Sequence, residues 1–365
     1  MVSKERLLLW GGVGVSVFCL FLVLRSVPIA DLAREFGRIQ WMGILPALAL
    51  FYLGLSFRGE RWWWLMGNAH RSLRRRVLLE GVFVGYAFNN ILPSGRVGEI
   101  ARAVYVAKKA RTPIAVIFGT IVNDRVFDSL AILLLVGATS YWILPIDPTL
   151  SVSFGGFEID GATLNPVFAN VMVGSLGVVG VVLLALVPQF AVWGTGMLKH
   201  FPFVPVSLRD RLVDFFLGVV RGLTAIKDLR RLGWVILTTV LIWGINALAA
   251  LALTWAIPGL SMTAFQAVAL MAIVAVIAAI PAAPGFWGLY EAGMIFCFQL
   301  LDIHEDPAVA LAYGVTMHLI YYLPTTLFGL VLAFRSAIRV GTSVAMTDPL
   351  SGEPGAEPSS DQPQS

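Results

Sequence analysis

Gly81-Val-Phe-Val-Gly-Tyr-Ala-Phe-Asn89-Asn90-Ile-Leu-Pro93-Ser-Gly95-Arg96-Val-Gly98-Glu99 is an apolar run broken by a Pro/Gly motif that carries an acid. Ala275-Val-Ile-Ala-Ala-Ile-Pro281-Ala-Ala-Pro284-Gly285-Phe-Trp-Gly288-Leu-Tyr-Glu291 repeats the design in the other half of the chain. A charge at the centre of a bilayer costs at least ~2.5 kcal/mol on insertion scales, so such acids are rarely idle. Apolar segments broken at corresponding positions of two halves point to the binding site of a transporter.

The composition agrees. The chain is 58% hydrophobic and 13% charged, with a mean hydropathy of +0.82. Soluble domains carry about 25% charged residues, which excludes a soluble enzyme or a nucleic-acid-binding module. The apolar runs are too long for the roughly 10-residue alternating strands of a membrane barrel. The net charge of +4 is modest and reports topology. Cys19 and Cys297 both sit in apolar runs and offer neither a disulfide framework nor a metal pair. No cofactor and no metal are expected. Lys4 and Arg6 precede an apolar stretch longer than that of a signal peptide, which predicts an uncleaved first span.

The hydropathy predicts an all-α polytopic membrane protein with full spans near 7–27, 42–57, 114–144, 167–188, 233–257 and 308–334. Basic residues set the orientation. Arg58, Arg61, Arg71, Arg74, Arg75 and Arg76 fall in one connection. Lys199, Arg209, Arg211, Arg221, Lys227, Arg230 and Arg231 fall in another. The connections at 145–166 and 302–307 hold acids but no Lys or Arg. By the positive-inside rule the basic connections and both termini are cytoplasmic, in a bacterial inner membrane. The 28–40 connection is then outside, with Arg34 and Arg38 offset by Asp31 and Glu35.

Given that orientation, segment 79–107 begins and ends inside, and segment 264–301 begins and ends outside. Each reads as a re-entrant hairpin or a pair of short crossings. The halves 1–145 and 165–340 then form an inverted-topology repeat within a single transmembrane domain, residues 1–340. The alternative is an eight-helix bundle in which the breaks are kinks. Region 190–232 alternates apolar and basic residues at helical spacing, which predicts amphipathic helices on the inner leaflet. Residues 341–365 read as a disordered cytoplasmic tail.

Candidate binding residues gather at the breaks. Arg96, Glu99 and Arg102 stand three apart on one helix face, just after Asn89 and Asn90. Pro93 ends one half-helix, and Gly95 and Gly98 permit close backbone approach. Exposed amides beside guanidinium groups suit a phosphate. Asp124, Arg125 and Asp128 form a charged group in the third span, for which Arg96 or Arg102 are the expected partners. In the second half, Pro284, Gly285 and Gly288 make the break. Glu291 is expected to meet a first-half arginine, and His318 lies in the last span. Competing structural readings are ion pairs that only pin the hairpin, and a histidine satisfied within the core.

The run Asn89 to Arg102, the run Asp124-Arg125-Val-Phe-Asp128, and the run Pro284-Gly285-Phe-Trp-Gly288-Leu-Tyr-Glu291 resemble the lysylphosphatidylglycerol synthase transmembrane (flippase-like) family. Its usual patterns are N-x-L-P…R-x-G-E-x-x-R, E-R-x-x-D and P-G-G-x-G-x-x-E. The resemblance implies a lipid-translocating or lipid-modification-associated module, in some relatives fused to a cytosolic aminoacyl-lipid synthase domain, which is not expected within residues 1–365. Asp124 stands where Glu is usual, and Phe286 and Trp287 replace a smaller pair.

The leading expectation is therefore a non-enzymatic carrier that moves a phospholipid or another anionic lipid-linked substrate between leaflets. Its partner is a membrane lipid with an anionic or aminoacylated headgroup, with no role for nucleic acid. The alternatives are an intramembrane lipid-phosphate enzyme, an intramembrane protease with a Ser94–His318 dyad, and a non-transporting partner of a lipid or glycan synthase.

Overall fold

The computed structural model describes residues 4–67, 73–92, 97–154, 156–185, 228–278, 280 and 282–345. In chain order the helices are α1 (Lys4–Ser26), α2 (Ile29–Arg38), α3 (Trp41–Leu65), α4 (Arg75–Ile91), α5 (Val97–Ala110) and α6 (Ile114–Ile143). A small antiparallel hairpin follows, β1 (Ser151–Phe154) and β2 (Phe157–Asp160), with Ser151 opposite Asp160. Then come α7 (Gly161–Ala185), α8 (Leu229–Leu253), α9 (Ala264–Ile277), a 3₁₀ turn at Pro284–Phe286, α10 (Leu289–Leu300) and α11 (Pro307–Ala345).

Among the described residues five helices are long and apolar enough to cross a membrane: α3, α6, α7, α8 and α11. The bent pair α1–α2 makes a sixth if it counts as one span, with 82° between its arms. Each predicted span falls on one of these helices. The fold is thus an all-α polytopic membrane bundle, with the β-hairpin as its one described departure.

Three boundaries change. The second span does not end at 57, because α3 continues to Leu65 and carries Arg58 and Arg61 inside it. The 28–40 connection is the amphipathic helix α2, and its arginines are indeed offset: Arg34 pairs with Asp31 and Arg38 with Glu35, each at 3.0 Å. Helix α11 runs to Ala345, five residues into the stretch assigned to the tail. The amphipathic helices predicted for 190–232 lie outside the described residues as far as 227. Beyond that, Asp228 caps α8 by accepting the Arg230 N–H at 2.9 Å.

In the 145–166 connection, the Thr149 hydroxyl and backbone N–H donate to Asp147 and hold its carboxyl below the usual carboxylate range. The Asn165 side chain exchanges two hydrogen bonds with the Ile146 backbone, each 2.8 Å, and ties the hairpin's base to α7.

Each broken segment is a pair of short helices packed on one another, α4 on α5 and α9 on α10. In the first pair, a Cβ on Gly98 would stand 2.1 Å from the Gly85 carbonyl oxygen and 2.3 Å from Asn89 Oδ1. Only glycine permits that approach. Asn89 Oδ1 accepts the Gly98 N–H at 2.9 Å, satisfying one of the free amides at the start of α5. In the second pair, Gly285 and Gly288 take φ of +74° and +84°. A Cβ on Gly288 would lie 2.4 Å from the Ser16 carbonyl oxygen, so this turn is seated directly against α1.

The long helices then knit the two sequence halves together. Helix α3 packs along α8, α4 along α11, and α9 against α6.

Candidate functional site

A buried ionic cluster joins α3, α5 and α6. Arg61 is fully buried. Its guanidinium reaches Asp124 Oδ1 through Nε at 2.9 Å, Asp128 Oδ1 through Nη2 at 2.8 Å, and the Thr239 hydroxyl of α8 through Nη1 at 3.3 Å. Arg58 donates to the other oxygen of Asp128 at 2.9 Å. Arg102 donates to the other oxygen of Asp124 at 3.1 Å, and its guanidinium lies over the Trp62 ring, 3.9 Å from the centroid. Arg125 closes the group on Glu99 at 2.6 Å and lies 3.6 Å from Asp128.

The local sequence makes this possible. Arg58 and Arg61 are three apart on α3, and Asp124 and Asp128 four apart on α6, so each pair shares one helix face. Planar guanidinium forks bridging two carboxylates suit both faces. Four guanidinium groups meet three carboxylates, so among the described residues the cluster carries one uncompensated positive charge.

Asn90 forms a second link. Its Nδ2 donates to the Thr326 hydroxyl at 2.8 Å and the Thr325 hydroxyl at 3.3 Å on α11. Thr325 follows Pro324, which has no N–H for the helix ladder. The Thr325 hydroxyl in turn donates to the Tyr321 carbonyl.

The acid of the second break has a different partner from the one predicted. Glu291 Oε1 lies 2.6 Å from His318 Nδ1, and Oε2 accepts the Gly288 N–H at 2.6 Å. No first-half arginine bonds to it among the described residues. The reason is local: Glu291 sits in the first turn of α10, where its carboxylate folds back onto the turn's own amide. Both Glu291 and His318 are buried. The imidazole is boxed by aromatic rings, Trp287 at 4.3 Å, Tyr290 at 4.6 Å, Tyr321 at 5.3 Å and Tyr322 at 5.8 Å between centroids. Among the described residues His318 Nε2 has no hydrogen-bond partner.

Between these two centres lies a cavity of about 170 Å³. Arg58, Phe51 and Tyr86 border it from the first half, and Phe286, Tyr290 and Tyr321 from the second. Trp243 also lines it, and its buried indole N–H has no partner among the described residues. Among the described residues Arg58 is the one charged group in its lining, and its side chain is 16% exposed. The cavity is therefore apolar and aromatic, with a single guanidinium that belongs to the ionic cluster.

Phe286 takes φ +60°, a left-handed conformation that glycine adopts at no cost. This is the position where the family pattern has its second glycine. The chain thus holds a strained aromatic at the cavity wall.

The candidates Glu99, Arg102, Asp124, Arg125 and Asp128 are drawn together in the first-half cluster, and Glu291 and His318 pair in the second half, whereas Asn89 is spent on the start of α5 and Asn90 on α11. Arg96, Pro93 and Gly95 lie outside the described residues. The predicted pairing of Asp124 with Arg102 is present. The sequence reading missed Arg58 and Arg61, having placed both in a connection. Their three-residue spacing, which puts both on one helix face as the four-residue spacing does for the acids of α6, was the available signal.

Comparison with known proteins adds the family. The lysylphosphatidylglycerol synthase TM region matches residues 9–329. A UPF0104 membrane protein of Pyrococcus horikoshii is 23% identical over 321 residues, covering 82% of this chain and 89% of its own. A UPF0104 membrane protein of Methanothermobacter thermautotrophicus is 29% identical over 155 residues, covering 40% of this chain and 45% of its own. With the match running through all three sequence motifs and through both the ionic cluster and the Glu291–His318 pair, this chain belongs to the lysylphosphatidylglycerol synthase transmembrane-region family.

Proposed function

We propose that this protein is a carrier that moves a phospholipid, or another lipid with an anionic or aminoacylated headgroup, between leaflets without chemical turnover. The observation that carries the reading is the central cavity, walled by both halves and presenting Arg58 from a cluster with one surplus positive charge. A guanidinium in an apolar, water-poor wall attracts a phosphate far more strongly than one in water. A cavity of about 170 Å³ has room for a phosphate-sized group, with the acyl chains of such a lipid left to the bilayer in this reading.

The packing supports an inverted repeat with alternating access. The first broken segment packs through α4 on the last helix of the second half, α11. The second packs through α9 on the last helix of the first half, α6. Counting the bent pair α1–α2 as one span, the second spans of the two halves, α3 and α8, lie along each other. Such reciprocal pairing is what two halves related by an axis in the membrane plane produce, with the substrate site at their interface. In this reading the termini face the cytoplasm.

Leaflet-resolved lipid assays in liposomes holding the purified protein test it. Wild type is expected to accelerate exchange of an anionic lipid. Arg58→Gln, at the cluster's edge, should fold and insert with that rate cut at least about tenfold, the loss of one charge-assisted bond. Unchanged leaflets with wild type, or full transport by Arg58→Gln, would overturn the carrier reading or its site, respectively.

A further inference from the structure

A second pocket, of about 810 Å³, opens where the start of α4 and the end of α5 meet the C-terminal part of α11. Arg74, Arg76, Lys108, Lys109, Arg111 and Arg335 line it against one acid, Glu80. Glu80 is already engaged by Arg76, Lys109 and the Tyr105 hydroxyl. Arg74, Lys108, Arg111 and Arg335 form no ion pair among the described residues. Four cations facing one concavity without counter-charges repel each other, and an anion there relieves the repulsion.

Arg111 sharpens the point. It sits just past the end of α5 at φ +51°, where Thr112 N–H closes onto the Ala107 carbonyl oxygen at 3.2 Å. Glycine is the low-cost residue at such a helix end. The chain instead holds an arginine there, aimed into the pocket's lining.

An apolar groove of about 360 Å³ continues from this pocket and shares Tyr105, Lys108 and Ser336 with it. It runs between α5 and α11 past Phe88, Ile100, Val104 and Ala333, and Ile100 is 53% exposed in it. None of the residues lining the pocket or the groove borders the central cavity.

Cations at one end and an apolar trough at the other fit a phosphodiester with an acyl chain attached. The positive-inside rule puts this end of the protein on the cytoplasmic face, where anionic lipids concentrate. We propose that this is a binding site for an anionic glycerophospholipid. The headgroup phosphate lies among Lys108, Arg111 and Arg335, and one acyl chain lies in the α5–α11 groove. The site stands whether or not the protein transports lipid.

Lipid titration of the purified full-length protein, read by native mass spectrometry, tests it. Phosphatidylglycerol should bind about tenfold more tightly than phosphatidylcholine, a difference of one charge-assisted contact or more. Lys108→Gln and Arg335→Gln, both at exposed positions, should each weaken phosphatidylglycerol about fivefold and leave phosphatidylcholine unchanged. Ala333→Trp, which fills the groove, should weaken phosphatidylglycerol too. Glycerol 3-phosphate, the headgroup phosphate without a chain, should compete only weakly. The proposal is overturned if the charge variants bind phosphatidylglycerol as wild type does. It is equally overturned if glycerol 3-phosphate competes as well as the lipid and Ala333→Trp is silent, since the pocket then takes a soluble anion. Binding is read without transport, so a protein that binds here but moves no lipid overturns the carrier reading alone.

Discussion

His318 Nδ1 lies 2.6 Å from Glu291 Oε1, and this contact fixes the acid of the second break within its own half of the chain. The carboxylate's other oxygen is taken by the Gly288 amide, so Glu291 joins the turn to α11 in one step. The ionic cluster around Arg61 and this pair are thus two separate polar centres, and the central cavity lies between them.

Removing either member of a buried polar pair strands the other, at roughly 1–3 kcal/mol and more when a charge is left. Glu291→Ala and His318→Ala should each lower the melting temperature of the detergent-solubilised protein. Because they share one interaction, the double variant should lose clearly less than the sum. Strictly additive losses would mean that the two side chains do not support each other.

Arg61 and Arg125 belong to one cluster but differ in burial, 0% against 43% of the side chain exposed. Arg61→Leu leaves Asp124 and Asp128 short of a buried partner and should cost about 3–5 kcal/mol. Arg61→Lys should recover little, because one ammonium cannot span both carboxylates as the fork does. Arg125→Gln should cost under about 1 kcal/mol. Yield and thermal unfolding compared across the three variants check the ranking, and equal losses at both positions would contradict it.

Asn90 Nδ2 and the Thr326 hydroxyl are 2.8 Å apart across the α4–α11 contact. Hydrogen bonds between membrane helices couple by about 0.6 kcal/mol on average and ~1.7 at most. A double-mutant cycle with Asn90→Ala and Thr326→Ala, followed by unfolding in mixed micelles, should return a coupling in that range. A coupling of zero would show that shape alone holds the two helices.

Phe286 offers a way to separate backbone strain from cavity packing. Both Phe286→Ala and Phe286→Gly remove the ring, but only glycine relieves φ +60°. The glycine variant should be the more stable by about 1 kcal/mol, the usual cost of a left-handed residue that has a Cβ. If alanine proves the more stable, the turn does not hold this conformation in the membrane.

Much of the fold was legible from the chain itself, because a bilayer imposes a length and a composition on each crossing. The runs at 114–144 and 308–334 sit on α6 and α11 for that reason. The breaks at 79–107 and 264–301 were legible because Pro and paired glycines end helices. Asp124 had to be partnered, since an unpaired buried carboxylate is costly, and Arg102 supplies one partner.

Which charges meet was a different matter. Arg58 and Arg61 read as the start of a basic connection, because a run of arginines usually ends a span. They are inside α3 because the acids that neutralise them stand on α6, more than sixty positions further along the chain. Local sequence has no term for a partner that far away. The same holds for Glu291, expected to meet a first-half arginine but partnered by His318 on α11. The sequence by itself determined that Asp124, Asp128 and Glu291 need partners and which apolar segments carry them. Only the tertiary packing of α3 on α6 and α10 on α11 decided the pairs, because electrostatic energy in a low-dielectric interior depends on a few ångströms of separation.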